Sequence, residues 1–344
     1  MSAEPGVLDL PKPYLLFLAD IDDPRYAKTA QGLCHWVPDQ CVGEWALPGN
    51  TLRLGLPVLD PLAAYERGAR ALVLGVAPVG GQLQPAWVSA LLQALEAGLD
   101  LVSGMHTALT SIPELVASAE RFGRRLIDIR KPPENLPVAS GQPRSGNRLL
   151  TVGTDCALGK KYTALAITRA FRERGIEATF RATGQTGILI AGQGIPIDAV
   201  KADFIAGAAE LLSPAAEPEH WDIIEGQGAL AHPGYAAVSL GLLSGSQPDV
   251  LVLCHAHDRQ HVSGYGPDFP LPPIQNVIDL HLAHARLRRP NVRFGGISLN
   301  TGGLSEPEAE KMMDELERRQ GLPCADPLRG AQRFRRLVDA CLNA

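Results

Sequence analysis

Apolar runs in the first third of the chain alternate with polar turns and helical patterns. Tyr14–Ala19 (YLLFLA) and residues 71–76 (ALVLGV) have the composition of short buried strands. Residues 86–97 carry apolar side chains at helical spacing up to Gly98, and residues 101–103 predict another short strand. Strands and helices that alternate in this way favour a parallel sheet with helices on both faces. The pattern therefore predicts an α/β protein that begins with a Rossmann-like domain.

A change of composition marks the end of this domain. Residues 131–147 (KPPENLPVASGQPRSGN) contain four prolines and two glycines with almost no apolar periodicity. Such a stretch is typical of an interdomain linker. We therefore predict one domain over residues 1–135, a linker over 136–147 and a second domain over 148–344.

The second domain again opens with an alternating pattern. Residues 148–152 (RLLTV) predict a strand, and residues 160–174 predict a helix that stops at Gly175. Near the carboxyl end, Ser305 and Glu308 have the spacing of a capping box at the start of a helix. The domain is thus expected to be a second, mainly parallel α/β sheet. Its later strands are predicted at Trp221–Ile224, 250–254 and 294–299.

Composition limits the possible partners. With 344 residues the chain is long enough for two cores, and its 32 basic and 37 acidic side chains give a net charge of −5. No basic run would follow a nucleic-acid backbone, and no apolar stretch has the length needed to cross a bilayer. The beginning MSAEPGVLDLPKP lacks the basic start and apolar region of a signal peptide. We expect a cytoplasmic enzyme with a small-molecule substrate, bound to neither nucleic acid nor membrane, and a homo-oligomer on general grounds.

The cysteines form no metal-binding or disulfide pattern that can be recognised from spacing. Six are scattered along the chain without a CxxC pair, which favours reduced thiols over a disulfide framework or a zinc ribbon. We predict no metal site from them. They are Cys34, Cys41, Cys156, Cys254, Cys324 and Cys341.

The sequence GTDCALGKK lies between the first strand and first helix of the second domain. A glycine-rich turn in this position directs backbone N–H groups and the positive end of a helix dipole at one point, which suits a phosphate. Gly153 and Gly159 would form the turn and Lys160 would supply a charge. The usual motif continues with Ser or Thr, whose hydroxyl binds Mg²⁺, but Lys161 takes that position here. The alternative is a purely structural glycine turn.

The second lysine changes the expected ligand. Two adjacent lysines can neutralise a phosphate without a metal, so the loop suits an anion such as the pyrophosphate of coenzyme A better than Mg·ATP. Thr154, Asp155 or Thr163 could still provide a metal contact. The residues assigned to cofactor binding are Gly153, Thr154, Asp155, Gly159, Lys160, Lys161, Tyr162 and Thr163.

Candidate catalytic residues follow two other predicted strands. The sequence WDIIEGQG delivers Glu225 to a strand end, where it could bind a metal, orient an ammonium or act as a base. A surface carboxylate is the alternative. His255, in the sequence CHAH, is predicted as a hydrogen-bonding residue or base rather than a metal ligand, since a neutral imidazole suits proton transfer near pH 7.

Polar residues elsewhere are candidates for substrate binding. Gln185 and Thr186 lie in a glycine-rich stretch, FRATGQTGILIAGQG, that is interpreted as a loop suited to a small polar substrate or as an ordinary βα connection. Gln227 belongs to the glycine turn after Glu225. Asn300 could contact an adenine or a substrate, or cap a turn, and Arg130 in DIRKPP could reach an anionic ligand or be a solvated charge.

Two family resemblances add to this interpretation. At GTDCALGKK and IIEGQG the second half resembles the dethiobiotin synthetase-like branch of P-loop proteins, which implies a P-loop NTPase-like fold for the second domain. Lys161 is a departure from that pattern and weakens any transfer of ATP-dependent chemistry. A resemblance over nearly the whole chain is to the DUF1611 family. It is carried, in this order, by GVAPVGGQL, SGMHTAL, DIRKPP, GTDCALGKKYTA, TGQTGILIAGQG, DFIAGAAE, EGQGAL and HPGY.

The second resemblance implies a reaction. The DUF1611 family is associated with D-glutamate N-acetyltransferase activity, which implies acetyl-CoA as cosubstrate, an amino-acid acceptor and a role in D-amino-acid catabolism. Lys160 and Lys161 would then hold the CoA phosphates, Glu225 or His255 would accept the proton, and a glycine turn would donate N–H groups to the oxyanion. The alternatives are an ATP/Mg²⁺-dependent kinase or ligase acting on a small carboxylate or amine, and a non-catalytic module that senses CoA or a nucleotide.

Overall fold

The computed structural model describes residues 8–78 and 80–343. Residues 1–7, which belong to the amino terminus for which no signal peptide is predicted, lie outside the described part. The strands are β1 (Tyr14–Ala19), β2 (Cys41–Ala46), β3 (Ala71–Leu74), β4 (Asp100–Ser103), β5 (Leu126–Asp128), β6 (Asn147–Gly153), β7 (Ala178–Arg181), β8 (Trp221–Ile224), β9 (Val250–Ala256), β10 (Arg293–Asn300) and β11 (Cys324–Ala325).

Helices alternate with these strands. They are α1 (Lys28–Trp36), α2 (Pro61–Glu66), α3 (Val88–Glu96), α4 (Pro113–Phe122), α5 (Lys160–Glu173), α6 (Gln185–Ala191), α7 (Ile205–Leu212), α8 (Ala236–Ser246), α9 (Ile274–Ala285), α10 (Glu306–Gln320) and α11 (Ala331–Leu342). Among the described residues, no helix combines the length and the apolar character that a membrane span requires.

The chain divides into two compact units. The first contains the residues up to Pro132 together with Gln185–Ala199, and the second contains Pro133–Gly184 together with the residues from Val200 onward. Helix α6 therefore belongs to the first unit although it follows β7 in sequence. A division of the sequence into consecutive domains cannot show that such an internal segment belongs to the first unit.

The first unit is a Rossmann-like α/β sheet. Its five strands are all parallel and lie in the order β2-β1-β3-β4-β5. The core includes the fully buried Phe17 of β1 and Trp87, whose rings meet edge to face at 6.4 Å. The predicted strands at 14–19 and 71–76 are present, although the second ends at Leu74. The N–H of Gly75 still bonds to the Phe17 carbonyl oxygen in β1, but the carbonyl of Gly75 accepts the N–H of Ala30 in α1.

The second unit contains the phosphate-loop strand in the middle of its sheet. Six parallel strands lie in the order β11-β10-β9-β6-β8-β7. The chain moves from β6 to one side for β7 and β8 and then crosses to the other side for β9. The strand order thus reverses at β6, and open α/β sheets bind their ligands at the carboxyl ends of strands beside such a reversal.

One prediction about local structure is wrong. The glycine-rich stretch that contains Gln185 and Thr186 was expected as a loop, but Gln185–Ala191 forms helix α6. The reason is that Thr186, Ile188 and Leu189 are all buried, so packing rather than the glycine content decides the conformation.

Candidate functional site

The phosphate loop joins β6 to α5 by a turn in which two positions require glycine. A Cβ atom on Gly153 would lie 2.9 Å from the Nζ atom of Lys160 and 2.9 Å from the carbonyl oxygen of Asp155. Gly159, immediately before α5, has a φ of +102°, which L side chains rarely adopt. The first N–H groups of α5 therefore open towards the loop, as a phosphate site requires.

Lys160 is a buried cation at the centre of this loop. Its side chain is almost fully buried, and Nζ donates a hydrogen bond of 2.8 Å to the carbonyl oxygen of Asp155. Burial lowers the pKa of Lys160, while the nearby Cys156, Cys254, Asp155 and Glu225 oppose that shift. A desolvated ammonium gains free energy from an incoming anion, so Lys160 is suited to bind phosphate oxygens.

The next three residues point in different directions. Nζ of Lys161 lies 5.2 Å from the ring centroid of Tyr162, and both side chains are half-buried. Thr163 is buried, and its hydroxyl bonds to the carbonyl oxygen of Gly159 at 3.1 Å and to the hydroxyl of Ser298 in β10 at 2.7 Å. These bonds attach α5 to the sheet, so the hydroxyl of Thr163 has a structural role.

Asp155 connects the loop to a distant part of the chain. The carboxylate is buried, and its Oδ2 atom accepts hydrogen bonds from Arg259 at 2.5 Å and from the backbone N–H of Ser263 at 2.8 Å. Its Oδ1 atom accepts the N–H of Cys156 at 2.7 Å. Arg259 and Ser263 were not predicted from the sequence. Through this carboxylate, Arg259 adds a third cationic side chain to the lysines at the phosphate loop.

His232 completes the network and defines a possible metal cluster. Its Nδ1 atom accepts the N–H of Gly234 at 3.1 Å, so Nε2 carries the proton and donates to the carbonyl oxygen of Ser263 at 3.1 Å. The ligand atoms of Asp155, Cys156 and His232 lie within 4.8 Å of one another. Because the carboxylate and both imidazole nitrogens already have protein partners, these residues fit a hydrogen-bond network better than a metal centre. That the protein functions without a metal remains a prediction.

Glu225 lies directly after β8 and is not a surface carboxylate. Its side chain is almost fully buried, and Oε2 accepts hydrogen bonds from the N–H groups of Thr183 at 3.0 Å and Gly184 at 3.1 Å. The hydroxyl of Thr183 donates to the Glu225 carbonyl oxygen at 2.7 Å and accepts from Nε2 of Gln227 at 3.1 Å. The backbone thus fixes the orientation of the carboxylate.

A close backbone approach joins this turn to the phosphate loop. The N–H of Gly226 donates to the hydroxyl of Thr151 in β6 at 2.9 Å, and a Cβ atom on Gly226 would lie 1.7 Å from the carbonyl oxygen of Thr151. The same Cβ atom would lie 3.0 Å from Cδ of Lys160. The turn that holds Glu225 therefore packs against the phosphate-loop lysine, and the two belong to one site.

His255 contacts the phosphate loop from β9, which flanks β6 on the side opposite to β8 and Glu225. It is the penultimate residue of β9, and its Nδ1 atom lies 2.8 Å from the hydroxyl of Thr154. Burial, and then the charge of Arg259, lower the pKa of His255 below its usual 6.5. A neutral imidazole at pH 7 can accept a proton. His257 bonds instead to the carbonyl oxygen of Gly302, at 2.9 Å.

Asn300 lies at the end of β10 and is exposed. Its Oδ1 atom accepts the N–H of Gly302 at 3.0 Å, which is the geometry of a turn cap. A contact between Asn300 and a ligand remains a prediction.

The first unit contains the remaining three candidates for substrate binding. Arg130 forms an ion pair of 2.6 Å with Asp198, and the hydroxyl of Thr186 lies 3.1 Å from that of Thr29. Gln185 packs against the backbone after β4, where a Cβ atom on Gly104 would lie 2.6 Å from its own Cβ atom. These residues pair within the first unit, whereas the phosphate loop, Glu225, Gln227 and His255 come together in the second.

Sequence comparisons match two consecutive family domains, and the segment Gln185–Ala199 of the first unit lies within the second of them. Residues 40–132 match a domain of unknown function described as the DUF1611 N-terminal, Rossmann-like domain. Residues 137–335 match a domain described as the DUF1611 C-terminal, P-loop domain.

Two relatives that are named for an enzymatic activity align over almost the whole chain. A D-glutamate N-acetyltransferase of Tritonibacter scottomollicae is 49% identical over 329 residues, which are 95% of this chain and 98% of that protein. A D-glutamate N-acetyltransferase of a Pseudoalteromonas species is 47% identical over 322 residues, which are 94% of this chain and 97% of that protein.

A crystal structure shows the same architecture. A DUF1611 family protein from Anabaena variabilis is 36% identical to this chain, with a TM-score of 0.86. The alignment covers 96% of this chain and 99% of that one.

Proposed function

The chain belongs to the DUF1611 family, and we propose that it transfers the acetyl group of acetyl-CoA to the amino group of D-glutamate. The observation that carries this proposal is the identity of 49% and 47% to two proteins named for that reaction, in alignments that span nearly the full length of each. The site at the carboxyl end of β6 has the groups that such a reaction requires: an anion site, an oriented carboxylate and a neutral imidazole.

The phosphate loop would bind the pyrophosphate of acetyl-CoA. The buried ammonium of Lys160 and the N–H groups at the start of α5 act on the same anion. Lys161 occupies the position of the usual Mg²⁺-binding hydroxyl, and the hydroxyl of Thr163 is bonded to Gly159 and Ser298. These features favour charge neutralisation by side chains over a mechanism that depends on Mg·ATP.

The acceptor must lose a proton before it can react. His255 is neutral near pH 7 and takes one proton from the ammonium of D-glutamate. The amine nitrogen then attacks the thioester carbonyl, the new C–N bond forms, and the C–S bond breaks as the tetrahedral intermediate collapses. The thiolate of CoA leaves and is protonated, and the amide nitrogen gives up its second surplus proton.

Glu225 has a different part in this reaction. Two backbone N–H groups fix its carboxylate, which would bind and orient the ammonium group of the acceptor. A residue that binds the ammonium lowers the entropy cost of bringing the amine to the thioester.

A thiol-release assay with acetyl-CoA and a panel of D- and L-amino acids tests the proposal. We expect release of CoA that is specific to D-glutamate and unaffected by EDTA, with N-acetylglutamate detected by mass spectrometry. Glu225→Gln and His255→Ala variants should both be slower, and wild-type rates in both would remove the two role assignments. Absence of CoA release together with Mg²⁺-dependent release of ADP would instead identify a kinase or ligase.

A further inference from the structure

A short hairpin follows β9 and presents aromatic side chains beside the phosphate loop. Residues 259–271 fold back on themselves, with hydrogen bonds of 2.9 Å from the N–H of Leu271 to the Gln260 carbonyl oxygen and from the N–H of Val262 to the Phe269 carbonyl oxygen. Val262 is buried, so the base of the hairpin is packed. The segment is therefore a preformed element.

The hairpin is attached directly to the phosphate loop. The N–H of Ser263 and the guanidinium of Arg259 both donate to the buried carboxylate of Asp155. On its other side, Nε2 of His232 donates to the carbonyl oxygen of Ser263. These three contacts fix the hairpin against the phosphate loop.

Four rings form a continuous cluster on this hairpin and on the turn after β8. Ring centroids are 5.0 Å apart for Tyr265 and Phe269, 5.5 Å for His232 and Tyr265, and 4.6 Å for His232 and Tyr235. We call His232, Tyr235, Tyr265 and Phe269 the aromatic cluster. His232 is buried, but Tyr235, Phe269 and Tyr265 are 53%, 46% and 39% exposed. Large rings held rigidly and left exposed are suited to bind a flat aromatic ligand.

We propose that the aromatic cluster binds the adenine ring of acetyl-CoA. The inference rests on the proposed function, because it needs a ligand whose phosphates occupy the loop. In such a ligand a single ribose separates the base from the phosphates, so the base falls within reach of rings that are anchored to Asp155. Bases stack on aromatic side chains, and the loss of one stacking ring corresponds to a roughly tenfold to hundredfold loss of affinity.

Two other arrangements make different predictions. Asn300 at the end of β10 would bind the adenine through its amide, and the exposed rings would then have no part in binding. Alternatively, a second copy of the chain would cover the rings, and their removal would change the oligomeric state.

Ligand truncation separates these possibilities. Dissociation constants are measured by calorimetry for acetyl-CoA and for acetyl-4′-phosphopantetheine, which lacks the 3′-phosphoadenosine and one phosphate of the pyrophosphate. Tyr265→Ala and Phe269→Ala should each weaken acetyl-CoA binding roughly tenfold to hundredfold and leave the truncated ligand unchanged. Tyr265→Phe should keep wild-type affinity, because the ring and not the hydroxyl is needed. Leu287→Ala is the matched control, since Leu287 is an exposed apolar residue of the same unit, 73% exposed, outside the cluster.

Each contrary result has a separate meaning. Equal losses for both ligands, or a selective loss of acetyl-CoA affinity in Asn300→Asp with none in Tyr265→Ala, would overturn the adenine site. A changed sedimentation coefficient in Tyr265→Ala with unchanged affinity would overturn it in favour of a surface between copies. If the wild-type protein does not bind acetyl-CoA at all, both the proposed function and the adenine site are wrong. Binding by the wild type together with one of the contrary results above would overturn the adenine site alone.

Discussion

The two sheets of this protein differ at their carboxyl edges although all the paired strands of both are parallel. In the first sheet the strand order reverses between β1 and β3. Near this reversal the polar groups bond to one another: the N–H of Ala30 donates to the Gly75 carbonyl oxygen, and the indole N–H of Trp87 donates to Asp20. In the second, the order reverses at β6, and the loop that follows holds the buried ammonium of Lys160. Two parallel sheets with the same kind of reversal therefore carry different side chains at it.

The polar residues of the two edges also have different partners. Arg130 and Thr186 in the first unit bond to the side chains of Asp198 and Thr29. In the second unit, Lys160 donates to a backbone carbonyl and Glu225 accepts from backbone N–H groups. Side chains that are oriented by the backbone keep their charge available for a ligand. On this contrast we base the proposal that the chemistry takes place in the second unit.

The largest expected effect is that of Lys160→Met. The substitution keeps the length of the buried side chain but removes its charge, so we expect about a thousandfold loss of kcat/KM for acetyl-CoA. Arg67→Met, at an exposed position of the first unit, is the control and should remain within about twofold. Equal losses of kcat/KM in the two variants would contradict the proposed difference in function between the two units.

The second prediction concerns His255 and pH. Because burial lowers its pKa, the imidazole is neutral above pH 6.5 and becomes protonated only below that value. The rate should therefore be independent of this group above pH 6.5 and should fall as the pH drops below it. His255→Gln should lower kcat about a hundredfold and abolish this fall. An acid limb of the pH–rate profile that persists in the variant would show that another group is the base.

A comparison of two glycines tests the packing at the two edges. In Gly226→Ala the new methyl group would lie 1.7 Å from a backbone oxygen of Thr151, whereas in Gly75→Ala it would lie 2.6 Å from the Cβ atom of Ala30. We expect Gly226→Ala to lower the free energy of unfolding by about 3 kcal/mol, and Gly75→Ala to lower it by less. Gly266→Ala, which has open space around the new atom, is the control in urea unfolding. Equal unfolding midpoints for Gly226→Ala and Gly266→Ala would contradict the close approach at β6.

The smallest effect is expected at the ion pair of the first unit. Arg130→Met and Asp198→Asn each remove one partner of a partly buried pair, and each should lower the free energy of unfolding by about 1 kcal/mol. Because the two side chains satisfy each other, KM for D-glutamate should stay within about threefold in both. A tenfold rise of KM in Arg130→Met alone would show that Arg130 binds the substrate, as its sequence context suggested.

The sequence predicted the elements whose signals are local. The capping box of Ser305 and Glu308 is confirmed, with Glu306–Gln320 helical and Gly321 in the left-handed conformation after it. The phosphate loop was found in the same way, because strand, glycines, lysine and helix follow one another within the residues that form it. The helical segment Gln185–Ala191 was not found, since its conformation depends on burial by residues far away in sequence.

The rest of the candidate site depends on contacts without a local signal. Asp155 is 104 residues from Arg259 and 108 from Ser263, yet it bonds to both. Neither spacing nor periodicity connects residues at such separations. The same holds for Glu225, whose place at a strand end was predicted but whose burial and backbone donors were not.

The central claim is that the carboxyl edge of the second sheet carries out acetyl transfer, and single-turnover kinetics of Glu225→Gln test it most directly. N-acetyl-D-glutamate formed from acetyl-CoA is followed by mass spectrometry for the wild-type protein and the variant, alongside the dissociation constant of acetyl-CoA. We expect product formation by the wild type and a rate about a hundredfold lower in the variant, with unchanged acetyl-CoA affinity. A variant that forms product at the wild-type rate, or a wild-type protein that forms none, would contradict the account.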